Sequence, residues 1–120
     1  MDEGLREGSL GLWDGHTTAE IEAGWPGARD GAWHGEWFFT APEGARFAGF
    51  VDRLSAALHR AQTAPAPVLI VAHGVVGQVL RGLWTGLDQL TSMRLEAPQD
   101  AIFALEPGGV VRRIGCIRAP

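Results

Sequence analysis

Five consecutive apolar residues, Val68, Leu69, Ile70, Val71 and Ala72, run directly into His73-Gly74 and then into a helical apolar stripe. This strand-turn-helix signature constrains the chain more than any other feature. The run is of strand length, is rich in β-branched residues and follows Pro65 and Pro67. It predicts a strand over 68–72 buried on both faces of a sheet. Behind it, Val76, Val79, Leu80, Leu83 and Trp84 share one side of a helix predicted over 75–84. Ahead of it, Phe47, Phe50, Val51, Leu54, Ala57, Leu58 and Ala61 follow the i, i+3, i+4, i+7 spacing of an amphipathic helix over 45–62. Helices alternating with buried strands indicate an α/β sheet domain.

The remaining segments fit around that unit. Residues 1–15 carry Gly4, Gly8, Gly11 and Gly15 and no sustained period, which reads as a loop. Thr17 and Glu20 have the spacing of a capping box, predicting a short helix through Trp25 that Pro26-Gly27 stops. Residues 26–44 interleave proline and glycine with Trp33, Trp37, Phe38 and Phe39, the composition of a long packed loop. A further helical piece is expected within 87–95. Residues 101–105 and 110–114, around Glu106-Pro107-Gly108-Gly109, read as a β-hairpin. With no internal repeat or interdomain linker, residues 1–120 are expected to form a single domain.

Charge and composition exclude several classes of partner. A net charge of −4 without a basic cluster gives no reason to expect nucleic acid or an anionic membrane surface. The apolar runs are strand-sized, far below the roughly 20 residues of a membrane-spanning helix. Cys116 is the only cysteine, so an intrachain disulfide is impossible and a reducing compartment suits the chain. The acidic start Met1-Asp2-Glu3-Gly4 lacks a secretory h-region. The expected location is the cytoplasm.

Two residues stand where chemistry can be done. His73 lies at the end of a predicted strand and the start of a helix, where ligands bind in open α/β sheets and helix amides attract anions. Its imidazole can donate a hydrogen bond to a phosphoryl oxygen, and Gly74 lets the backbone approach closely. The plainer reading is a histidine that caps the helix or packs under a loop. Glu7 is a carboxylate in a glycine-rich loop near Trp13, a setting that can favour a proton held for a leaving oxygen. Its plainer reading is a solvated loop glutamate.

Taken together, these segments resemble the histidine phosphatase (phosphoglycerate mutase-like) superfamily over nearly the whole chain. Leu5-Arg6-Glu7 with Gly11-Leu12-Trp13-Asp14-Gly15-His16-Thr17 is similar to the family block L-x-E…G-x-W-E-G-x-T. Glu20-Ile21 and Pro26 continue the match, and Val71-Ala72-His73-Gly74-Val75 is similar to V-x-H-G-G. The resemblance implies a phosphoglycerate mutase-like three-layer α/β sandwich. It also implies a mechanism in which a histidine takes the phosphoryl group and water hydrolyses the phosphohistidine. Glu7 would then be the general acid and base, and His73, with Gly74, would bind the transferring phosphoryl group. The substrate would be a phosphorylated small molecule, handled without a metal or other cofactor.

Departures from the family pattern bear on activity. Family members open with a strand ending in Arg-His-Gly, whose histidine is the nucleophile, and a further phosphate-binding arginine precedes the glutamate block. Met1 stands just before that block, so these groups have no counterpart in the 120 residues, and the family fold is expected to be incomplete, without its N-terminal strand and helix. His16, His34 and His59 offer no obvious replacement. Glu43-Gly44-Ala45-Arg46 stands where many members have Gly-Gly-Glu-Ser, and Gln78 where an arginine often follows the second histidine. Gly8 and Val75 occupy positions that carry arginine and asparagine in mutases, which points to the phosphatase branch. The expectation is a phosphatase-like protein inactive or poorly active by itself. The competing expectation is a noncatalytic phosphate-binding or regulatory protein of the same fold. Metal binding through His16, His34 and His73 is a third and weaker reading, because their spacing matches no compact ligand motif. Unpaired strand edges, finally, would favour self-association.

Overall fold

The computed structural model describes residues 3–28 and 36–116. Among these residues, four α-helices and one hairpin make up the regular structure: α1 (Thr18–Gly24), α2 (Phe47–Gln62), α3 (Gly74–Thr85), α4 (Gln89–Met93), β1 (Ala101–Glu106) and β2 (Val110–Gly115). Short 3-10 turns occupy Glu3–Leu5, Gly11–Trp13 and Glu36–Thr40.

Local chemistry accounts for the helix ends. The Thr17 hydroxyl accepts the Glu20 amide at 3.2 Å, and Glu20 Oε1 accepts the Thr17 amide at 3.2 Å. The predicted capping box therefore starts α1. Asp88 caps α4 through Oδ1, which accepts the Thr91 amide at 2.8 Å. Gly86, at φ 78°, ends α3 in the left-handed conformation that glycine adopts without a Cβ penalty.

The apolar stripes of α2 and α3 face each other. Phe50 and Leu54 from α2 bury against Val76, Val79 and Leu80 from α3, with Phe39 and Met93 closing the cluster. A second cluster holds Trp13, Ile21 and Ala41, with Trp25 and Trp37 packed on Trp13 at ring-centroid distances of 6.2 and 5.9 Å.

The hairpin forms as expected, antiparallel from Ala101 opposite Gly115 to Glu106 opposite Val110. Gly108 and Gly109 turn it with positive φ. Trp84 ties it to α3, its Nε1 donating to the carbonyls of Glu106 at 2.8 Å and Val110 at 3.0 Å. The buried Gln78 and Arg81 fix the chain beyond α4. Gln78 Nε2 donates to the carbonyls of Met93 and Leu95, and Arg81 donates to the carbonyl of Glu96 while lying 4.0 Å over the Phe103 ring.

One expected element is absent. Residues 68–72 form no strand, and β1 and β2 are the only strands among the described residues. Leu69 is 76% exposed and Val71 85% exposed, and of the five residues only Ile70 packs on the core. The apolar run registers a preference for burial, but a strand also needs a neighbour to take its amides and carbonyls. Here β1 and β2 pair with each other and not with this segment. The result is a mixed helix and strand fold with a two-stranded sheet, an incomplete version of the α/β architecture expected from the sequence.

Candidate functional site

Glu7 sits on a loop that two sets of hydrogen bonds hold against the start of α2. From α2, Arg53 Nη1 donates to three carbonyls, those of Glu3 at 3.2 Å, Gly4 at 3.2 Å and Arg6 at 2.7 Å. Immediately after Glu7, the Leu12 amide donates to the Pro42 carbonyl at 2.9 Å and the Ala45 amide to the Ser9 carbonyl at 2.8 Å. The approach is close at Gly11, where a Cβ would strike the backbone of Pro42 and Glu43, and φ is 52°. Asp14 braces the same loop, accepting from the Ser9 hydroxyl at 3.1 Å and the Leu10 amide at 2.9 Å.

So held, Glu7 lines a cleft of about 430 Å³ together with Arg6, Ser9, Ala45, Arg46, Gly49, Phe50 and Arg53. Its carboxylate is half-buried and accepts the Gly8 amide at 3.2 Å. The aromatic residue in the wall is Phe50 rather than the tryptophan expected from sequence proximity. Trp13 turns instead into the second core cluster. Burial and the neighbouring Arg6 hold the Arg53 guanidinium below its ordinary pKa, offset in part by Glu7 and Glu3.

His73 is the N-cap of α3, with φ −74° and ψ 166°. Its side chain makes no capping bond and is exposed to solvent. Gly74 opens the helix, and a Cβ there would come within 3.3 Å of the Ala97 Cβ. Of the local arrangement expected around His73, the helix N-terminus is present and the preceding strand is not. His73 is not in the wall of the Glu7 cleft. The structure does not bring the two residues into one cavity, and the segment leading to His73 has no strand beside it to fix its place.

The other sequence candidates are scattered. The His16 ring lies 3.2 Å from the Asp14 carbonyl and edge-on to Trp25 at 6.0 Å, and His59 is exposed on α2. His34 and Trp33 lie outside the described residues. No group of three metal-ligating side chains occurs among the described residues. Gln78, which stands at a family arginine position, is committed to the backbone beyond α3 rather than to a pocket.

The sequence marks Arg46 only as a departure from the family's Gly-Gly-Glu-Ser and does not mark Arg53 at all. They stand seven residues apart, with Gly49 and Phe50 between them at i+3 and i+4, and so share one face of α2. That spacing was visible, but nothing in the sequence indicated that the Glu7 loop would cover this face.

The model of the histidine phosphatase superfamily (branch 1) matches residues 1–115. No curated protein matches the chain. No helix among the described residues is long and apolar enough to cross a membrane. With a match over nearly all of its length, the chain belongs to the histidine phosphatase superfamily.

Proposed function

We propose that this protein takes part in phosphomonoester hydrolysis as a phosphatase-type family member, and that the 120 residues alone are inactive or poorly active. The observation that carries this reading is the placement of Glu7, a half-buried carboxylate on a braced loop in a cleft lined by arginines. There it serves as the proton donor to the leaving oxygen. The family pattern assigns the transferring phosphoryl group to His73 and the amides at the start of α3, and the position of His73 outside the Glu7 cleft accords with the inactivity proposed for the 120 residues alone.

A phosphatase rather than a mutase is supported by Gly8. A Cβ at this position would come within 2.9 Å of Phe38 Cε1 and 3.3 Å of Phe50 Cε2, so a side chain such as the arginine that mutases carry here would have to displace those rings. Inactivity follows from the chemistry, since none of the 120 residues matches the family's nucleophilic histidine. The test is incubation of the purified chain with p-nitrophenyl phosphate, with trapping of acid-labile phosphohistidine. The expected result is little or no turnover and no phosphoenzyme. Robust turnover that His73→Ala abolishes would overturn the claim of inactivity.

A noncatalytic phosphate-binding protein of the same fold is the second reading, favoured by the arginines around the cleft. It predicts phosphate or vanadate binding without any turnover. The tryptophans offer a fluorescence readout, and no response at millimolar phosphate would count against it.

A further inference from the structure

Among the described residues, the hydrogen bonds of Arg46 and Arg53 go to neutral partners. Arg46 Nη1 donates to the carbonyls of Ala41 at 2.9 Å and Phe39 at 3.4 Å, and Arg53 Nη1 to the three carbonyls named above. Neither guanidinium forms an ion pair with a carboxylate among the described residues. Arg6, the third arginine of the cleft, pairs with Glu3 at 3.1 Å in an exposed bridge, a contact of little energetic weight. Among the described residues, Glu7 is the one carboxylate in the wall.

Carbonyl partners orient a guanidinium without neutralising it, so the cleft keeps an excess of positive charge. Burial first, and then the neighbouring Arg6, lower the pKa of Arg53, with Glu7 and Glu3 acting in the opposite sense. The start of α2 adds to the positive charge. Arg46 is its N-cap and makes no side-chain capping bond, so the amides of the first turn are not capped by it. The site therefore combines guanidiniums held from behind by backbone, the N-terminal end of a 16-residue helix and an open cleft of about 430 Å³.

We infer that this cleft is an oxyanion site in its own right. It holds a phosphate or carboxylate group of a small anionic ligand against Arg46 and Arg53, beside the Glu7 carboxylate. Charge and donor geometry carry the binding itself. That the ligand is also the substrate rests on the reading of Glu7 given above, and in that case the substrate is a phosphomonoester with a second anionic group near its leaving oxygen. Arg46 and Arg53 would then select among substrates, with Glu7 remaining the proton donor.

The test is an amide NMR titration of the whole chain with inorganic phosphate, and in a parallel arm with malonate to separate phosphate from carboxylate recognition. Saturable shifts are expected at the amides of Gly8 and Gly49, which flank the cleft. Arg46→Gln should weaken binding by about tenfold or more, the equivalent of one charge-assisted hydrogen bond. Gly49→Asp guards against misreading a folding defect. Gly49 is exposed with open space around its Cβ position, and an acidic residue in the first turn favours the helix. This variant should fold at least as well and lose anion binding, whereas Gly49→Ala should bind as the parent does. His73→Ala should leave the Gly8 and Gly49 shifts intact. Shifts confined to Gly74 and Val75 would overturn the cleft site while leaving the His73 proposal standing. Cleft shifts that survive Gly49→Asp, or no shifts with either anion, would also overturn it.

Discussion

At the scale of single residues, close contacts and charges set the expectations. Gly82 lies where α3 crosses α4, and a Cβ there would overlap the Ser92 hydroxyl and come within 2.7 Å of the Ser92 Cβ. Gly82→Ala gains helix propensity but forces the helices apart, and it should destabilise the protein by about 1–3 kcal/mol. Urea denaturation measures this, and an unchanged midpoint would contradict the packing described. Glu20 and Asp88 give a pH dependence of known sign. Glu20 sits below its ordinary pKa, first through the Thr17 backbone bond and then through the Thr17 hydroxyl. Asp88 is lowered first by the Thr91 side chain and then by its amide. Because their folded-state values are depressed, both caps contribute stability above the ordinary carboxylate range and lose it as pH falls through the lowered values. Acid titration followed by circular dichroism should show α1 and α4 loosening below that range. Glu20→Gln should remove the share of the response that belongs to α1.

Among the elements, α2, α3 and the hairpin correspond closely to their sequence patterns, because a 3.6-residue stripe, a cap and a glycine turn are written in neighbouring residues. What holds these elements together is less local. Trp84 joins α3 to both strands of the hairpin through one indole N–H shared between two carbonyls. Trp84→Phe keeps most of the apolar contact and removes the donor, which should cost about 1 kcal/mol. Amide exchange should locate the loss in residues 101–115, with α2 unaffected. Uniform acceleration across the chain would show that the indole supports the whole fold and not the hairpin alone. Residues 68–72 make the opposite point. Their apolar, β-branched run specifies a strand as clearly as any pattern in the chain, yet a strand is a relation between segments and not a property of one. No strand pairs with this segment among the described residues, so Val68, Leu69 and Val71 face solvent and only Ile70 packs on the core.

For the molecule as a whole, that exposed segment has a consequence. We propose that the run with Leu69 and Val71 at its surface drives self-association, since such a segment is a ready template for another chain. Sedimentation velocity over a range of concentrations should detect it, and Val71→Lys should reduce it. A strictly monomeric profile would count against the proposal. The sequence by itself determined the family, the helices α2 and α3, the capping box and the hairpin, because each depends on residues close together in the chain or on a motif read in order. It also marked Glu7, His73 and Gly74 through those motifs. Only the tertiary structure decided which surfaces meet: that the Glu7 loop lies across the Arg46 and Arg53 face of α2, that Trp13 turns away into its own aromatic cluster, and that His73 stands outside the Glu7 cleft. The physical reason is common to all three. Long-range contacts are fixed by what is left to satisfy a carbonyl, an aromatic face or a strand edge once the local elements have formed, and no short window of sequence contains both partners.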